Sequence, residues 1–434
     1  MYRSIVVERS RFQDRYVRRV VDIELDELFP QLPAIVLDGP KGVGKTATAL
    51  QRATTTWRLD DPIQREALDA DPSLLAFGDR PVLVDEWQRL PQTWDAVRRA
   101  VDDDPSGGRF LLTGSAPVRE THSGAGRITT FRMRPLTLSE RGATDPTVSF
   151  RDLLDGRSAS TLRATSPITL SNYVDEIVAG GWPGLRHLEG AALDRQLDSY
   201  LDRIVERDME EAGHRVRRPV ALRNWMRAYA AATATTASWE TIRDAATSGY
   251  ADKPARSTVQ PYVDALTWLR ILDPVDAWLP TNSAFARLSA GPKHHLVDPA
   301  LAARLLGQTR AKLLMGGDRP IALPRAGSLV GSLFESLAVL CVRTFAQAAG
   351  GRVFHLRTND GRHEIDIIVE RDSGVLALEV KLAATVDDDD VKHLVWLRDK
   401  LGIDLIDAVV LTTGPLAYRR RDGIAVVPLA LLGP

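Results

Sequence analysis

The 434-residue chain is 44% hydrophobic and 26% charged, an ordinary globular composition, and its formal net charge of −1 excludes a global basic field that would advertise a nucleic-acid partner. Its single cysteine, Cys341, excludes an intramolecular disulfide and any cysteine-based zinc site; the apolar run around it reads as packing. No apolar run approaches membrane-spanning length and Met1–Arg9 lacks the apolar core of a signal peptide, so the expected compartment is the cytoplasm, with no membrane partner.

The chain opens with a segment, Val20–Phe29, that suggests a helix packed beside a first strand, Ala34–Leu37. Gly39-Pro40-Lys41-Gly42-Val43-Gly44-Lys45-Thr46 follows and fits G-x-x-x-x-G-K-[ST], the phosphate-binding loop. Its glycines permit a tight turn with N–H groups facing an anion, and the helix beginning near Ala47 adds its own free N–H groups. The expected nucleotide contacts are therefore Gly39, Pro40, Lys41, Gly42, Val43, Gly44, Lys45, Thr46 and Ala47, with Lys45 on the β/γ-phosphates of ATP and the Thr46 hydroxyl on Mg²⁺. The polar stretch Leu59–Asp71 reads as a loop with a short helix.

Pro81-Val82-Leu83-Val84-Asp85-Glu86 is an apolar strand ending in two carboxylates, the Walker B pattern. Asp85 would organise the Mg²⁺ shell and Glu86 would activate the attacking water. A helix over Trp94–Val101 leads to a buried strand, Phe110–Thr113, where Thr113 either faces the γ-phosphate and attacking water or caps the strand end. The β-α-β-α-β order implies a parallel three-layer core. After the turn His122–Gly126, Arg127 either contacts phosphate, in cis or across a subunit interface, or is a surface arginine.

Residues 141–168 are rich in Ser, Thr, Arg and Asp and read as a linker with little core of its own. Tyr173, Val174, Ile177 and Val178 repeat at helical spacing; Gly180-Gly181-Trp182-Pro183-Gly184 breaks the chain; a helical stripe runs from Leu193 to Met209. From about 220 to 280 the pattern suits a winged helix, with a second helix N-capped by Ser257 and carrying Pro261. Only Lys253 and Arg256 lie close before that helix, so DNA readout and a packing or protein-contact module both stand open.

A last domain opens with the helix at Gly331–Leu337. Glu364–Val369 and Val375–Lys381 then form a hairpin through Asp372-Ser373-Gly374. Glu379 and Lys381 share a strand face, with Asp366 on the partner strand and Glu335 on the preceding helix. This is the PD-(D/E)xK arrangement, in which two carboxylates hold Mg²⁺ and a lysine helps activate water; here Ile365 stands at the proline position. A salt-bridged surface hairpin is the other reading. The acidic run Asp387–Asp390 reads as helix-dipole compensation, and Arg419-Arg420-Arg421 as a basic turn.

Together these pieces resemble the bacterial AAA+-type P-loop ATPases that carry the C-terminal domain of unknown function 4143. The resemblance rests on Gly39–Thr46, Asp85-Glu86-Trp87-Gln88, Leu112–Ser115, Gly126-Arg127, Met133–Leu136, Gly180–Pro183, Phe334-Glu335, Glu364–Asp366 and Glu379–Lys381. Lys41 stands where relatives often carry arginine. The resemblance implies an α/β fold: a P-loop NTPase parallel sheet core, a winged-helix middle region and a C-terminal restriction-endonuclease-like α/β domain. The expected boundaries are 1–140 for the ATPase domain, 141–215 for linker and helical lid, 216–300 for the winged helix and 301–434 for the nuclease-like domain. The expected activity is Mg²⁺-dependent ATP hydrolysis driving a switch on DNA or a protein partner. An ATP-regulated nuclease using Glu335, Asp366, Glu379 and Lys381, and a non-catalytic nucleotide-gated binding module, are the alternatives; homo-oligomerisation is open.

Overall fold

Strand β1 (Ala34–Asp38) is apolar and almost wholly buried, as a strand flanked on both sides must be. It lies in a five-stranded sheet with β2 (Thr55–Arg58), β3 (Val82–Asp85), β4 (Phe110–Thr113) and β5 (Ile128–Arg132), in the order β2-β3-β4-β1-β5. Every pairing is parallel, so the carboxyl ends of β1, β3 and β4 converge at Asp38, Asp85 and Thr113. The helix Val21–Leu28 packs Val21 and Leu25 with the apolar residues of β1 in one core cluster, as its pattern predicted. Strand β2 is absent from the sequence expectation: Thr55, Thr56 and Trp57 are half-buried, Arg58 is exposed, and no alternation marks them.

The computed structural model describes residues 16–114, 124–158, 162–214, 216, 218–246, 256–279, 291–315 and 328–434, without the side chains of 256–258. Ser115, His122, Ser123, Lys253 and the Ser257 cap therefore lie outside the described residues. The chain divides into two compact units, Met1–Arg134 with Trp182–Gly184, and Pro135–Gly181 with Leu185–Pro434. The regions expected as winged-helix and nuclease-like domains fall within the second unit.

The second unit is organised on a seven-stranded sheet. After the short strand β6 (Val148–Ser149) come β7 (Arg163–Thr165), β8 (Arg352–Arg357), β9 (Glu364–Arg371), β10 (Gly374–Lys381), β11 (Leu405–Thr412), β12 (Leu416–Arg419) and β13 (Ala425–Pro428), with β14 (Leu432–Gly433) closing on β6. The sheet order is β7-β12-β13-β11-β10-β9-β8. Strands β8, β9 and β10 form an antiparallel meander, while β10, β11 and β13 run parallel. Between β10 and β11 lies the helix Asp388–Leu401, where Asp387 and Asp390 form a capping box, as expected of an acidic helix start. Arg419 and Arg420 are not a free basic turn: Arg419 pairs with Asp407 at 2.8 Å, and Arg420 with Asp388 and Asp422.

Two sequence expectations need correction. Residues 141–168 are not a coreless linker: Phe150, Leu153 and Leu154 are fully buried on a short helix, and β7 is an edge strand of the large sheet. Their partners lie over 190 residues away, as with Phe150 on Phe345, so no local pattern announces them. Secondly, the helix Leu329–Ala348 is long and apolar enough to cross a membrane; 67% of its most apolar window is buried inside the fold. It packs against β8, β9 and β10, and its hydrophobicity is that of a core helix wrapped on several sides.

The middle of this unit contains the helices Pro219–Ala231, Trp239–Ala246 and Arg256–Trp268, the last continuous through Pro261. Two antiparallel bridges follow, Leu272↔Leu296 and Val275↔Lys293. Phe150→Ala should cost about 3–5 kcal/mol through lost burial and the cavity left behind. Urea unfolding would measure it, and a loss within 0.5 kcal/mol, the scale of surface changes, would contradict the packing of this segment.

Candidate functional site

The phosphate-loop sequence is held in a defined shape by side chains that bind its carbonyls. Lys45 is 7% exposed, and its Nζ donates to Gly39 O at 2.7 Å and Pro40 O at 2.9 Å. The Trp182 indole donates to Lys41 O at 3.2 Å, and the buried Arg19 donates to Val43 O at 2.8 Å. Gly44 adopts φ 101°, which only glycine takes without strain, and a Cβ at Gly39 would stand 2.1 Å from Met133 O. Burial lowers Lys45 to about 8, against the opposing pull of Asp38 and Glu86.

Beyond the loop, Thr46 Oγ1 donates to Asp85 Oδ1 at 2.8 Å, and Thr113 Oγ1 donates to the same oxygen at 2.6 Å. The Thr113 hydroxyl thus orients the Walker B carboxylate, across the register that pairs Asp85 with Thr113. This hydrogen bond lies at the carboxyl end of β4, where the sequence places the Thr113 hydroxyl. Glu86 follows with φ 54°, a sharp left-handed turn, and its carboxylate accepts from Gln88 Nε2. Lys45, Thr46 and Asp85 make a donor set that fits a nucleotide triphosphate with Mg²⁺: an ammonium, a hydroxyl and a carboxylate in one linked group at a helix N-terminus.

Arg127 does not join this group. Parallel register pairs Ile128 with Ala34 and Arg132 with Asp38, so Arg127 lies at the opposite end of β5 from the loop. At about 3.3 Å per residue that is on the order of 15 Å, too far for contact in cis. Arg127 instead pairs with Asp102 at 2.5 Å.

The second constellation lies on the large sheet. The β9–β10 ladder runs from Arg371↔Gly374 to Ile367↔Leu378; past that point Asp366 Oδ2 accepts the Val380 N–H at 2.9 Å. Lys381 Nζ lies 3.6 Å from Glu379 Oε2. Glu335, Asp366, Glu379 and Lys381 are thus gathered as their spacing predicted. A fifth residue, Lys293, stands among them with 1% side-chain exposure. Its Nζ donates to Glu335 Oε1 and to Asp366 Oδ1, both at 2.8 Å, and lies 3.3 Å from Glu364 Oε1. The expected Mg²⁺ geometry is therefore corrected: the oxygens that would bind a metal already hold an ammonium and a backbone N–H, and this arrangement does not fit a divalent ion as it stands.

Residues 31–141 match the AAA domain family, residues 170–312 match domain of unknown function 8612, and residues 330–432 match domain of unknown function 4143. The chain thus joins a match to the AAA domain to a C-terminal match to domain of unknown function 4143, as the sequence resemblance implied. Uncharacterised proteins of Mycobacterium tuberculosis and Mycobacterium bovis are each 26% identical to this chain over 381 residues, 85% of this chain and 74% of theirs. A Walker-type ATPase of Pyrococcus abyssi superposes with a TM-score of 0.38 at 17% identity, over 69% of this chain and 95% of that one.

Several residues of the phosphate-loop site carry no sequence signal. Arg19 and Trp182 reach the loop from 24 and 141 residues away, and Arg132 approaches Asp38 at 3.5 Å. Of these only Trp182, set between glycines and a proline, stood out, and it read as a chain break. Lys293 sits in Gly291-Pro292-Lys293-His294-His295, where no spacing links it to the hairpin.

In the carboxylate cluster, two ammonium groups cannot neutralise Glu335, Glu364, Asp366 and Glu379 together. Burial raises Glu335 to about 8, with Asp366 adding to the effect, and burial likewise raises Glu379 well above the usual range. Burial also opposes ionisation of Asp366, but Lys293 outweighs it and holds Asp366 at about 2. A raised carboxyl stabilises the fold fully below its ordinary value near 4.5, and that contribution is lost as pH rises toward 8. Melting temperatures of the wild type should accordingly fall from pH 5 to pH 8.5 more steeply than those of Glu335→Gln; parallel curves would refute the assignment.

Proposed function

We propose that this P-loop protein binds ATP with Mg²⁺ and hydrolyses it, acting as a nucleotide-driven switch on DNA or on a protein partner. The observation that carries this reading is the joint hold of Thr46 and Thr113 on one oxygen of Asp85, beside a Lys45 that rests on its own loop. On binding, Lys45 exchanges two neutral carbonyls for phosphate oxygens, and Thr46 and Asp85 would hold the Mg²⁺. The ion, when bound, neutralises charge developing on the β- and γ-oxygens. Glu86 takes a proton from the attacking water as the new P–O bond forms and the bond to the β-phosphate oxygen breaks, releasing ADP and phosphate. Its left-handed backbone turns it away from Asp85, which leaves the two carboxylates to separate tasks.

The nuclease-like reading of the C-terminal region is supported by the order helix–β8–β9–β10–helix–β11 and by the gathered Glu335, Asp366, Glu379 and Lys381. A winged helix is supported by three helices followed by the bridges Leu272↔Leu296 and Val275↔Lys293. Both favour DNA as the partner class; the Lys293 ammonium on Glu335 and Asp366 weighs against the ATP-regulated nuclease alternative, and a plasmid incubated with protein and Mn²⁺ should stay uncut.

Lys45→Ala should abolish ATP binding by calorimetry; unchanged affinity would refute the site. Glu86→Gln should retain ATP while turnover falls about 10²–10⁴-fold. Because the free Lys45 ammonium titrates near 8 and phosphate favours its charged form, ATP binding should take up a proton at pH 8–9. Affinity should then weaken as pH rises from 7 to 9. Calorimetry in two buffers of different ionisation enthalpy reads that uptake, and equal heats in both would contradict it.

A further inference from the structure

We infer that Lys293 is the resident cation of the C-terminal carboxylate cluster, occupying as an ammonium the position of a divalent ion, and that removing it uncovers a divalent-cation site made by Glu335, Asp366 and Glu379. The inference does not depend on ATP binding or on DNA cleavage. Glu335 Oε1 and Asp366 Oδ1 each lie 2.8 Å from one nitrogen, so both already point at a single positive centre. Oxygen–metal bonds of about 2.0–2.6 Å would require those oxygens to close by only a few tenths of an ångström. Glu379, 3% exposed, has its Oε1 buried and without a hydrogen-bond partner, while its side chain hydrogen-bonds Asp366. A buried carboxylate oxygen left unpaired at the edge of such a group is a ligand position that the lysine does not reach.

Delivery of the ammonium sets this arrangement apart from a surface ion pair. Lys293 comes from outside the hairpin and its flanking helices. Its backbone exchanges two hydrogen bonds with Val275, at 2.8 and 2.9 Å, which hold the side chain in the cluster. His355, fully buried, pins the same segment through Gly291 O at 2.9 Å. The lysine of the hairpin, Lys381, stays at the rim, 30% exposed, where it pairs with Glu379. The segment at Lys293 therefore acts as a plug, and the wild-type cluster takes up no divalent ion.

The test uses the full-length protein without nucleotide and follows free Mn²⁺ by electron paramagnetic resonance. Wild type and Asp366→Asn should bind the same number of ions. Lys293→Met should bind one more, and Lys293→Met combined with Asp366→Asn should lose it again. Mn²⁺ should also raise the melting temperature of Lys293→Met over its value in EDTA by several degrees more than it does for wild type. A wild-type ion missing from Asp366→Asn, or no added ion in Lys293→Met, overturns the inference. Should Lys293→Met fail to fold, the variant that adds Glu335→Gln removes a charge together with the lysine. It must still gain one Mn²⁺ through Asp366 and Glu379, and a failure to gain it counts against the proposal equally.

Discussion

A charge taken out of water has to be met by partners within a few ångströms, and both candidate sites are solutions to that constraint. Asp85 and Asp366 each lie on a buried strand, and each is met by at least two hydrogen-bond donors. At Asp85 the donors are the hydroxyls of Thr46 and Thr113, which satisfy an oxygen without bringing positive charge. At Asp366 they include a backbone N–H and the ammonium of Lys293, which brings a full charge. The same residue type is thereby left receptive to a cation in one site and already supplied with one in the other.

A third buried carboxylate shows the constraint acting on architecture alone. Asp298 has no exposed surface; it caps the helix Pro299–Leu305 through Ala300 N, accepts the Gly181 N–H at 2.8 Å and faces the buried guanidinium of Arg141 at 3.5 Å. Burial pushes its carboxyl upward, with Arg141 acting against that. One side chain thus ties residues 141, 181 and 298 together, a polar anchor at the start of the stretch whose apolar anchors are Phe150, Leu153 and Leu154.

What could be read from the sequence divides along contact distance. The phosphate loop, the Walker B strand, the Asp372–Gly374 hairpin and the acidic start of Asp388–Leu401 are set by neighbours a few residues apart, so spacing encodes them. Glu335, Asp366, Glu379 and Lys381 were legible for a related reason: three ride one hairpin, and the fourth rides the helix that packs on it. Strand β7 was not legible, because its three residues gain meaning only beside Leu416–Tyr418. Lys293 was not legible because its partners are 42 and 73 residues away. Arg127 was open between a phosphate contact and a surface arginine, because only strand register reveals which end of the sheet it occupies.

The shape of the phosphate loop carries the same logic one step further. Four of its carbonyls, at Gly39, Pro40, Lys41 and Val43, accept hydrogen bonds from just three side chains, those of Lys45, Trp182 and Arg19. A peptide plane whose carbonyl is held in one direction sends its N–H in the other. Fixing these carbonyls therefore presets the direction of the neighbouring N–H groups, and the loop has little left to reorganise when an anion arrives. Of the three donors only Lys45 has to let go, since its ammonium has a better partner in phosphate than in two neutral oxygens. Arg19 is anchored twice, since its guanidinium also donates to Arg134 O at 2.7 Å, so its hold on Val43 O is braced from a second backbone segment.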